Sequence, residues 1–316
     1  MQWGTLIEPI RRDRTSGAAE LAKRAATAVL EWIEQTAPMA DPVWQTELEA
    51  FAFALYAAQP SMAPLYNLVN SIWLELESLN TPETIRPRVR QAVRTFLAHS
   101  EQVHTHLAQT ALHVLPRGSC VLTYSYSSSV LAVLREAHAQ QRVSTVFCTE
   151  SRPMMEGRYL ARALASAGMA VEFGVDAAVS VFMRRSSVVL VGADSLTDRG
   201  VVNKLGTTSL MLLSRDAGIP CYAIADRQKW LPVGVEPTDL ARREPEEEVW
   251  SGPPAGVTVW NAYFECTPLI MFSAIIGESG LLTADELRLE LRKLPVAEAW
   301  RSRASRQILP GGAETK

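Results

Sequence analysis

The first third of the chain carries its apolar residues at the spacing of an α-helix. Leu21, Ala25 and Val29 recur every four residues and therefore share one side of a helix, with charged residues on the opposite side. The same period predicts two further helices, over Pro64–Ser78 and Thr81–Leu112. Since no strand-like alternation interrupts this pattern, the segment is predicted to form a helical bundle.

After Pro116 the pattern changes to short β-branched runs that alternate with alanine- and leucine-rich stretches of helical period. The predicted strands are Ser119–Tyr124, Ser144–Cys148, Ala170–Phe173, Ser187–Val191, Cys221–Ala225 and Val257–Trp260. The predicted helices between them are Val130–Ala139, Gly157–Ala167 and Thr207–Ala217. Such alternation implies a parallel sheet covered by helices. The predicted fold class is α/β, with a helical N-terminal domain over 1–115 followed by a Rossmann-like parallel-sheet domain over 116–316.

The net charge of the chain bears on whether it binds nucleic acid. The chain has 31 basic and 34 acidic residues and a net charge of -3, without the basic excess of proteins that neutralise nucleic-acid phosphates. Direct nucleic-acid binding is therefore not expected. The proline-rich and acidic stretch Val233–Pro254 is predicted to be a solvated surface loop.

Cysteine spacing and the N-terminal segment bear on cofactors and location. Cys120, Cys148, Cys221 and Cys266 show no CxxC spacing, so a structural zinc site is not expected. We expect no other metal and no cofactor. The N-terminal segment carries charges where a signal peptide would need an apolar core, and no run approaches the roughly 20 apolar residues of a membrane span. A cytoplasmic location without membrane contact is expected.

Polar residues follow the predicted strands, at the edge where ligands of parallel α/β sheets bind. These candidate site residues are Ser125, Ser127, Ser128, Arg152, Asp194, Asn203, Lys204 and Lys229. Two predicted helices also begin there, and helix starts together with lysines favour a phosphorylated ligand, either a sugar or a nucleotide. Simpler interpretations stay open for single residues: Ser127 could only cap a helix, Arg152 could pair with Glu150, and Asp194 could be a turn residue.

Three separated strings resemble the signature blocks of one family. They are TESRPMMEGR (149–158), VGADSLTDRGVVNKLGT (191–207) and FECTP (264–268), and DRTSGAAELA (13–22) resembles the N-terminal block. The family contains the alpha, beta and delta subunits of translation initiation factor two-B together with 5-methylthioribose-1-phosphate isomerase and ribose-1,5-bisphosphate isomerase. The resemblance implies a helical N-terminal domain, a Rossmann-like C-terminal domain and a homodimer or higher homo-oligomer.

The resemblance also implies residue roles. In the isomerases the aspartate of the GAD block moves a proton between C1 and C2 of the sugar, and here that residue is Asp194. Asn203, Lys204 and Lys229 correspond to substrate-binding positions, and Gly17 lies in the N-terminal block that contacts substrate. Ser125 stands where the isomerases carry a cysteine.

Two further departures concern phosphate binding. Ser16 and Gln59 stand where the isomerases carry arginines, and lysine does not reproduce the bidentate contacts of an arginine. The block TYSYSSSV is closer to the initiation-factor subunits.

Three functions follow as hypotheses. The first is an aldose–ketose isomerase acting on a phosphorylated pentose-like sugar. The residues that favour it are Asp194, Asn203, Lys204 and Lys229. The second is a non-catalytic sensor of a sugar phosphate or nucleotide, and the third is a translation-factor-type regulatory subunit that acts through protein contacts. Ser125, Ser16 and Gln59 favour the second and third.

Overall fold

A computed structural model describes residues 3–13, 16–36, 41–78, 85–237, 240 and 243–306. The helices of the described residues are α1 (Gly4–Arg12), α2 (Ala18–Gln35), α3 (Asp41–Ala58), α4 (Ala63–Glu77), α5 (Ile85–Ala111), α6 (Ser128–Ala139), α7 (Gly157–Ser166), α8 (Val179–Met183), α9 (Thr207–Ala217), α10 (Ala284–Arg292) and α11 (Glu298–Arg306). The strands are β1 (Ser119–Tyr124), β2 (Val143–Thr149), β3 (Val171–Gly174), β4 (Val188–Val191), β5 (Ser195–Leu196), β6 (Gly200–Lys204), β7 (Cys221–Ile224), β8 (Phe264–Pro268), β9 (Ala274–Gly277) and β10 (Gly280–Leu282).

The N-terminal part is helical, as its periodicity predicts. Helices α1 to α5 enclose an apolar core whose largest members include Trp32, Trp44 and Phe51. Trp300 of α11 is also buried in this core, with its ring 5.1 Å from that of Tyr56. The helix predicted from Thr81 is α5, and residues 81–84 lie outside the described ranges. The position of the domain boundary stays a prediction, since the C-terminal helix packs with the N-terminal bundle.

None of the helices in the described ranges is both long enough and apolar enough to cross a bilayer.

A seven-stranded sheet forms the second part and confirms the predicted α/β class. Its order is β10-β9-β7-β4-β1-β2-β3, and every neighbouring pair is parallel except β9 and β10. The predicted strand at Val257–Trp260 is wrong. That run follows two prolines, exposes Val257 and Trp260 while burying Val259, and forms no strand of the sheet. The place beside β7 belongs to β9, a strand that the sequence analysis missed.

The strand order creates a crevice at β1 and β4. From β1 the chain winds outward through β2 and β3, and it then returns to the other side of β1 at β4. Ligands of doubly wound sheets bind beyond the carboxyl ends of the strands at such a reversal. Ser125 directly follows β1, and Asp194 lies three residues after the end of β4. A small antiparallel sheet, β5-β6-β8, continues from β4 and brings Lys204 to the same edge.

Gly157 lets α7 begin directly against the end of β2. A Cβ atom at this position would overlap the carbonyl oxygen of Thr149, which is backbone and cannot move aside cheaply. Because α7 starts here, the preceding residue, Glu156, is held at the carboxyl edge of the sheet.

We expect Gly157→Ala to lower the free energy of unfolding by about 3 kcal/mol, because the added methyl group forces two packed elements apart. Urea denaturation of the variant and of the wild-type protein measures this. Gly4→Ala is the matched control, since a Cβ at Gly4 meets no atom within 4 Å. Equal stability of Gly157→Ala and wild type would contradict the close approach.

Candidate functional site

A cleft opens between the helical part and the carboxyl edge of the sheet. Its lining includes the predicted residues Gly17, Ser125, Asp194 and Lys204, together with Glu156 and Tyr263. A smaller cavity adjoins the cleft and shares Gly17, Tyr126 and Asp194 with it; its lining adds Ser127, Ser128, Asn203 and Lys229. The structure therefore brings together every predicted site residue except Arg152.

Asp194 lies where the cleft and the smaller cavity meet. Its backbone N–H donates to the Val202 carbonyl at 2.8 Å, and its carbonyl accepts from the Ala63 N–H at 3.3 Å, so both β6 and the start of α4 fix its position. Its carboxylate has no hydrogen bond or ion pair within the described part of the chain. Burial raises the pKa of Asp194 to about 6; Lys229 and Lys204 oppose this rise and Glu156 adds to it. Asp194 is thus a carboxyl group that changes protonation near neutral pH.

Ser125 occupies a strained position beside the same cleft. Its φ of 66° lies in the left-handed region, which residues other than glycine rarely adopt. The Ser125 N–H donates to Ser151 Oγ at 2.8 Å, and the Ser151 N–H in turn donates to Asp176 Oδ1 at 2.7 Å. Ser151 also has a positive φ, of 60°. Surrounding contacts therefore hold this backbone in an unfavourable conformation, as is common at functional sites.

The smaller cavity has the features of an anion site. The Lys229 side chain is 3% exposed and makes neither a hydrogen bond nor an ion pair with the described residues. Helix α6 begins beside it, and the first N–H groups of a helix have no acceptor within the helix. Ser127 caps this helix, since its Oγ accepts from the Val130 N–H, which agrees with the simpler interpretation of that serine. Asn203 lies on the opposite wall and donates to Thr207 Oγ1 at 3.0 Å.

The prediction of a second anion site, at the start of α9, is wrong. The chain fills that position with its own carboxylate: Glu265 Oε1 accepts from the N–H groups of Gly206 at 2.7 Å and Thr208 at 2.9 Å. Glu265 reaches this helix because β8 pairs with β6 and places Glu265 opposite Asn203. The sequence analysis did not predict β8 as a strand and therefore missed this contact.

Lys204 is buried against an acidic partner. Its side chain is 2% exposed, and its Nζ donates to Glu156 Oε1 at 2.7 Å. The same ammonium lies 5.1 Å from the centroid of the Tyr263 ring. Sequence reasoning did not single out Glu156, although it stands inside the quoted block TESRPMMEGR.

The acidic stretch after Val233 does more than connect two elements. Glu244 lines the cleft, and the carboxylate of Glu248 accepts from Tyr263 Oη at 2.6 Å and from Asn261 Nδ2 at 2.9 Å. For these residues the prediction of a plain solvated loop is wrong. The tertiary fold turns their carboxylates toward the cleft wall.

Arg152 is held away from the cleft lining. Its guanidinium donates to the carbonyls of Glu248 and Val249, at 3.3 Å each, and so fastens the acidic stretch to the turn after β2. The alternative pairing of Arg152 with Glu150 is not observed, because Glu150 pairs with Arg158 at 3.5 Å.

Ser16 and Gln59, which replace the expected arginines, both lie on the cleft wall. Gln59 Nε2 donates to the carbonyls of Ile10 at 3.2 Å and Asp13 at 2.9 Å, so this side chain holds the end of α1. The two departures from the isomerase pattern therefore fall within the site.

Comparison with known proteins agrees with the resemblance seen in the sequence. The chain is 28% identical to the ribose 1,5-bisphosphate isomerase of Methanocaldococcus jannaschii over 279 residues, covering 87% of this chain and 89% of that protein. It is 31% identical to a translation initiation factor eIF-2B subunit 2-like protein of Pyrococcus horikoshii over 278 residues, covering 88% and 95%. The crystal structure of the translation initiation factor eIF-2B of Pyrococcus horikoshii superposes with a TM-score of 0.75 at 29% identity, covering 89% of this chain and 97% of that one. The model of the Initiation factor 2 subunit family matches residues 14–284, and the chain belongs to that family.

Proposed function

We propose that this protein is an aldose–ketose isomerase that acts on a phosphorylated pentose-like sugar. The observation that carries the proposal is the placement of the Asp194 carboxylate beside the buried Lys229 ammonium, neither of which has a side-chain partner among the residues that the structure describes. Similarity to a protein named ribose 1,5-bisphosphate isomerase supports the same class of substrate.

Isomerisation needs a group that both takes and returns a proton. In a sugar 1-phosphate, the ring oxygen takes up a proton as its bond to C1 breaks. A base removes the proton from C2, and the electron pair of that C–H bond forms the C1=C2 bond of an enol phosphate. The carbon-bound proton then returns to C1 as the C2 hydroxyl gives up its own proton. Asp194 fits the first role, since a pKa of about 6 leaves both of its forms populated near neutral pH.

The phosphate is assigned to the smaller cavity. There the Lys229 ammonium and the open N–H groups at the start of α6 supply positive charge and hydrogen-bond donors. Since Asp194 lines both spaces, a sugar phosphate bound in this way extends its carbon chain past that carboxylate into the cleft. Asn203 and Ser128 form the remaining walls of the phosphate pocket.

A regulatory subunit or a ligand sensor is the second candidate. One observation favours it: Ser125 supplies a hydroxyl where the isomerases have a thiol. A cysteine thiol has a pKa of about 8.5, and a serine hydroxyl is a far weaker acid. The similarity to the subunit 2-like protein supports the same alternative. Both candidates use the phosphate pocket, and they differ in whether bound sugar is turned over.

We also infer a homodimer or higher homo-oligomer. Apolar side chains that are exposed on the sheet-bearing part support this, among them Leu212 at 56% and Ile270 at 81%.

We expect Asp194→Asn to reduce turnover of ribose 1,5-bisphosphate roughly 10²–10⁴-fold, because the amide cannot take the C2 proton. Proton and phosphorus NMR of the ketose product measures this. The wild-type rate should rise with pH through about 6 and then level off, since the ionised carboxylate is the base. Asp198→Asn, in the turn between β5 and β6, is the control and keeps full activity. Unchanged turnover in Asp194→Asn would remove Asp194 from the mechanism.

The same variant should be more stable than wild type above pH 6. Burial raises the carboxyl pKa above its unfolded value of about 3.9, so the folded chain binds more protons between these two values and its stability falls as the pH rises through them. Removing the charge raises the free energy of unfolding by up to about 3 kcal/mol at pH 8, and the difference disappears near pH 4. Urea denaturation at the two pH values is the measurement, and equal stabilities at pH 8 would contradict the buried charge.

We expect Ser125→Cys to raise turnover roughly 10²-fold, because a thiol can exchange a proton with the sugar near neutral pH whereas a hydroxyl cannot. Turnover of ribose 1,5-bisphosphate and of 5-methylthioribose 1-phosphate is compared among wild type, Ser125→Cys and Ser125→Ala. Ser125→Ala is the control and brings no gain. If Ser125→Cys binds sugar phosphate but turns over neither compound, the result would favour the ligand-sensor function.

A further inference from the structure

The turn that carries Lys229 is clamped between the two parts of the chain. It is a single 3₁₀ turn over Arg227–Lys229 that follows the end of β7. On one side the Leu231 N–H donates to the Leu196 carbonyl at 2.8 Å, which ties the turn to β5, shortly after Asp194. On the other side the turn is bonded to helices α4 and α5 of the helical part.

Gln228 connects the turn to α5. Its Nε2 donates to the Phe96 carbonyl at 2.7 Å, and its Oε1 accepts from Ser100 Oγ at 2.7 Å. Its own N–H donates to Asp226 Oδ1 at 3.0 Å, which closes the turn from within. The oxygen and the nitrogen of the Gln228 amide are therefore both bound to one helix, and the side chain is held in one orientation.

Asn67 of α4 fastens the same turn from a second helix. Its Nδ2 donates to the Gln228 carbonyl at 2.7 Å and to the Trp230 carbonyl at 2.8 Å, so it bridges the backbone on either side of Lys229. The helical part thereby fixes the position of a residue that belongs to the sheet-bearing part.

Lys229 is a residue that needs such a clamp. Its side chain is 3% exposed, and its ammonium has no hydrogen bond or ion pair with the described residues. A buried charge without a partner is costly, and a movable turn would let the ammonium reach water. The bonds to α4 and α5 oppose this movement and keep the ammonium in the smaller cavity, beside Asp194.

We propose that Gln228 is a positioning residue that holds the Lys229 ammonium in the phosphate pocket through its bonds to α5, and that Asn67 assists it from α4. The proposal rests on the phosphate pocket of the function proposed above. Gln228 and Asn67 line neither the cleft nor the smaller cavity, so both act through Lys229 and not on the ligand.

Titration calorimetry with inorganic phosphate tests the effect on binding. Gln228→Met removes both amide bonds and nearly keeps the length of the side chain. We expect the affinity for phosphate to fall roughly tenfold, because the Lys229 ammonium is no longer held at the cavity. Gln91→Met is the matched control and keeps wild-type affinity, since it is the same substitution on α5, where Gln91 donates to Thr95 of its own helix at 3.3 Å.

The protonation of Asp194 gives a second measurement that needs no ligand. The positive charge of Lys229 lowers the pKa of Asp194, which is about 6 with the lysine in place. Displacement of the ammonium should therefore raise this pKa in Gln228→Met and leave it unchanged in Gln91→Met. Carbon-13 NMR titration of labelled aspartate carboxyl groups measures it, with the Asp194 signal identified in Asp194→Asn.

Lys229→Met separates a positioning role from a general structural one. Lys229→Met alone should raise the pKa of Asp194, and adding Gln228→Met should raise it no further, because Gln228 acts only through the lysine. Asn67→Leu should follow the same pattern. If Gln228→Met folds poorly, Ser100→Ala removes only one of the two amide bonds and should lower phosphate affinity by a smaller factor, on the order of threefold.

The outcomes distinguish this role from the proposed function. An Asp194 pKa that stays at its wild-type value in Gln228→Met, or that rises by as much again in the Lys229→Met background, overturns the positioning role. If wild type binds no phosphate, or if the pKa rises while phosphate affinity is unchanged, the phosphate pocket of the proposed function is wrong, although Gln228 still positions Lys229.

Discussion

The burial of charge at the carboxyl edge of the sheet is the constraint on which the site depends. Lys229 and Lys204 are almost completely buried, Asp194 and Glu156 are partly buried, and an isolated charge at any of these positions would be expensive. Only Lys204 and Glu156 compensate each other directly. Asp194 and Lys229 lack such contacts within the described residues, and the raised pKa of Asp194 reflects this cost. A ligand with a phosphate and hydroxyl groups would supply the missing partners.

Strand order and close backbone contacts hold these residues at one edge of the sheet. The reversal of strand order between β1 and β4 places Ser125 and Asp194 at one edge. The small antiparallel sheet then carries Lys204 to that edge, while Gly157 allows α7 to hold Glu156 opposite it. The positive φ of Ser125 is kept in place by the hydroxyl of Ser151. Such pre-organisation is what a catalytic or a discriminating site requires.

At the proposed site, an isomerase and a ligand sensor would differ in only a few side chains. The family contains proteins named for isomerisation and proteins named for translation initiation, and this chain is similar to both at nearly equal identity. According to the resemblance of its sequence blocks, Asp194, Lys204 and Lys229 match the isomerase pattern, whereas Ser125, Ser16 and Gln59 depart from it. Under the proposed function, Ser16 and Gln59 would bear on which sugar phosphate fits as well as on whether it reacts, because both lie on the cleft wall.

The sequence by itself determined the fold class, about half of the described helices and strands, the family and most of the residues that meet at the site, because helical period, strand alternation and strand-end position are local properties. Asp194 and Ser125 could be found in this way. Only the tertiary structure decided that Glu265 closes the start of α9, that Glu156 neutralises Lys204 and that Arg152 fastens the acidic stretch instead of facing the cleft. Each of these contacts joins residues that are 48 or more positions apart. Local patterns carry no information about such pairs, since they form only when packing and strand register bring distant segments together.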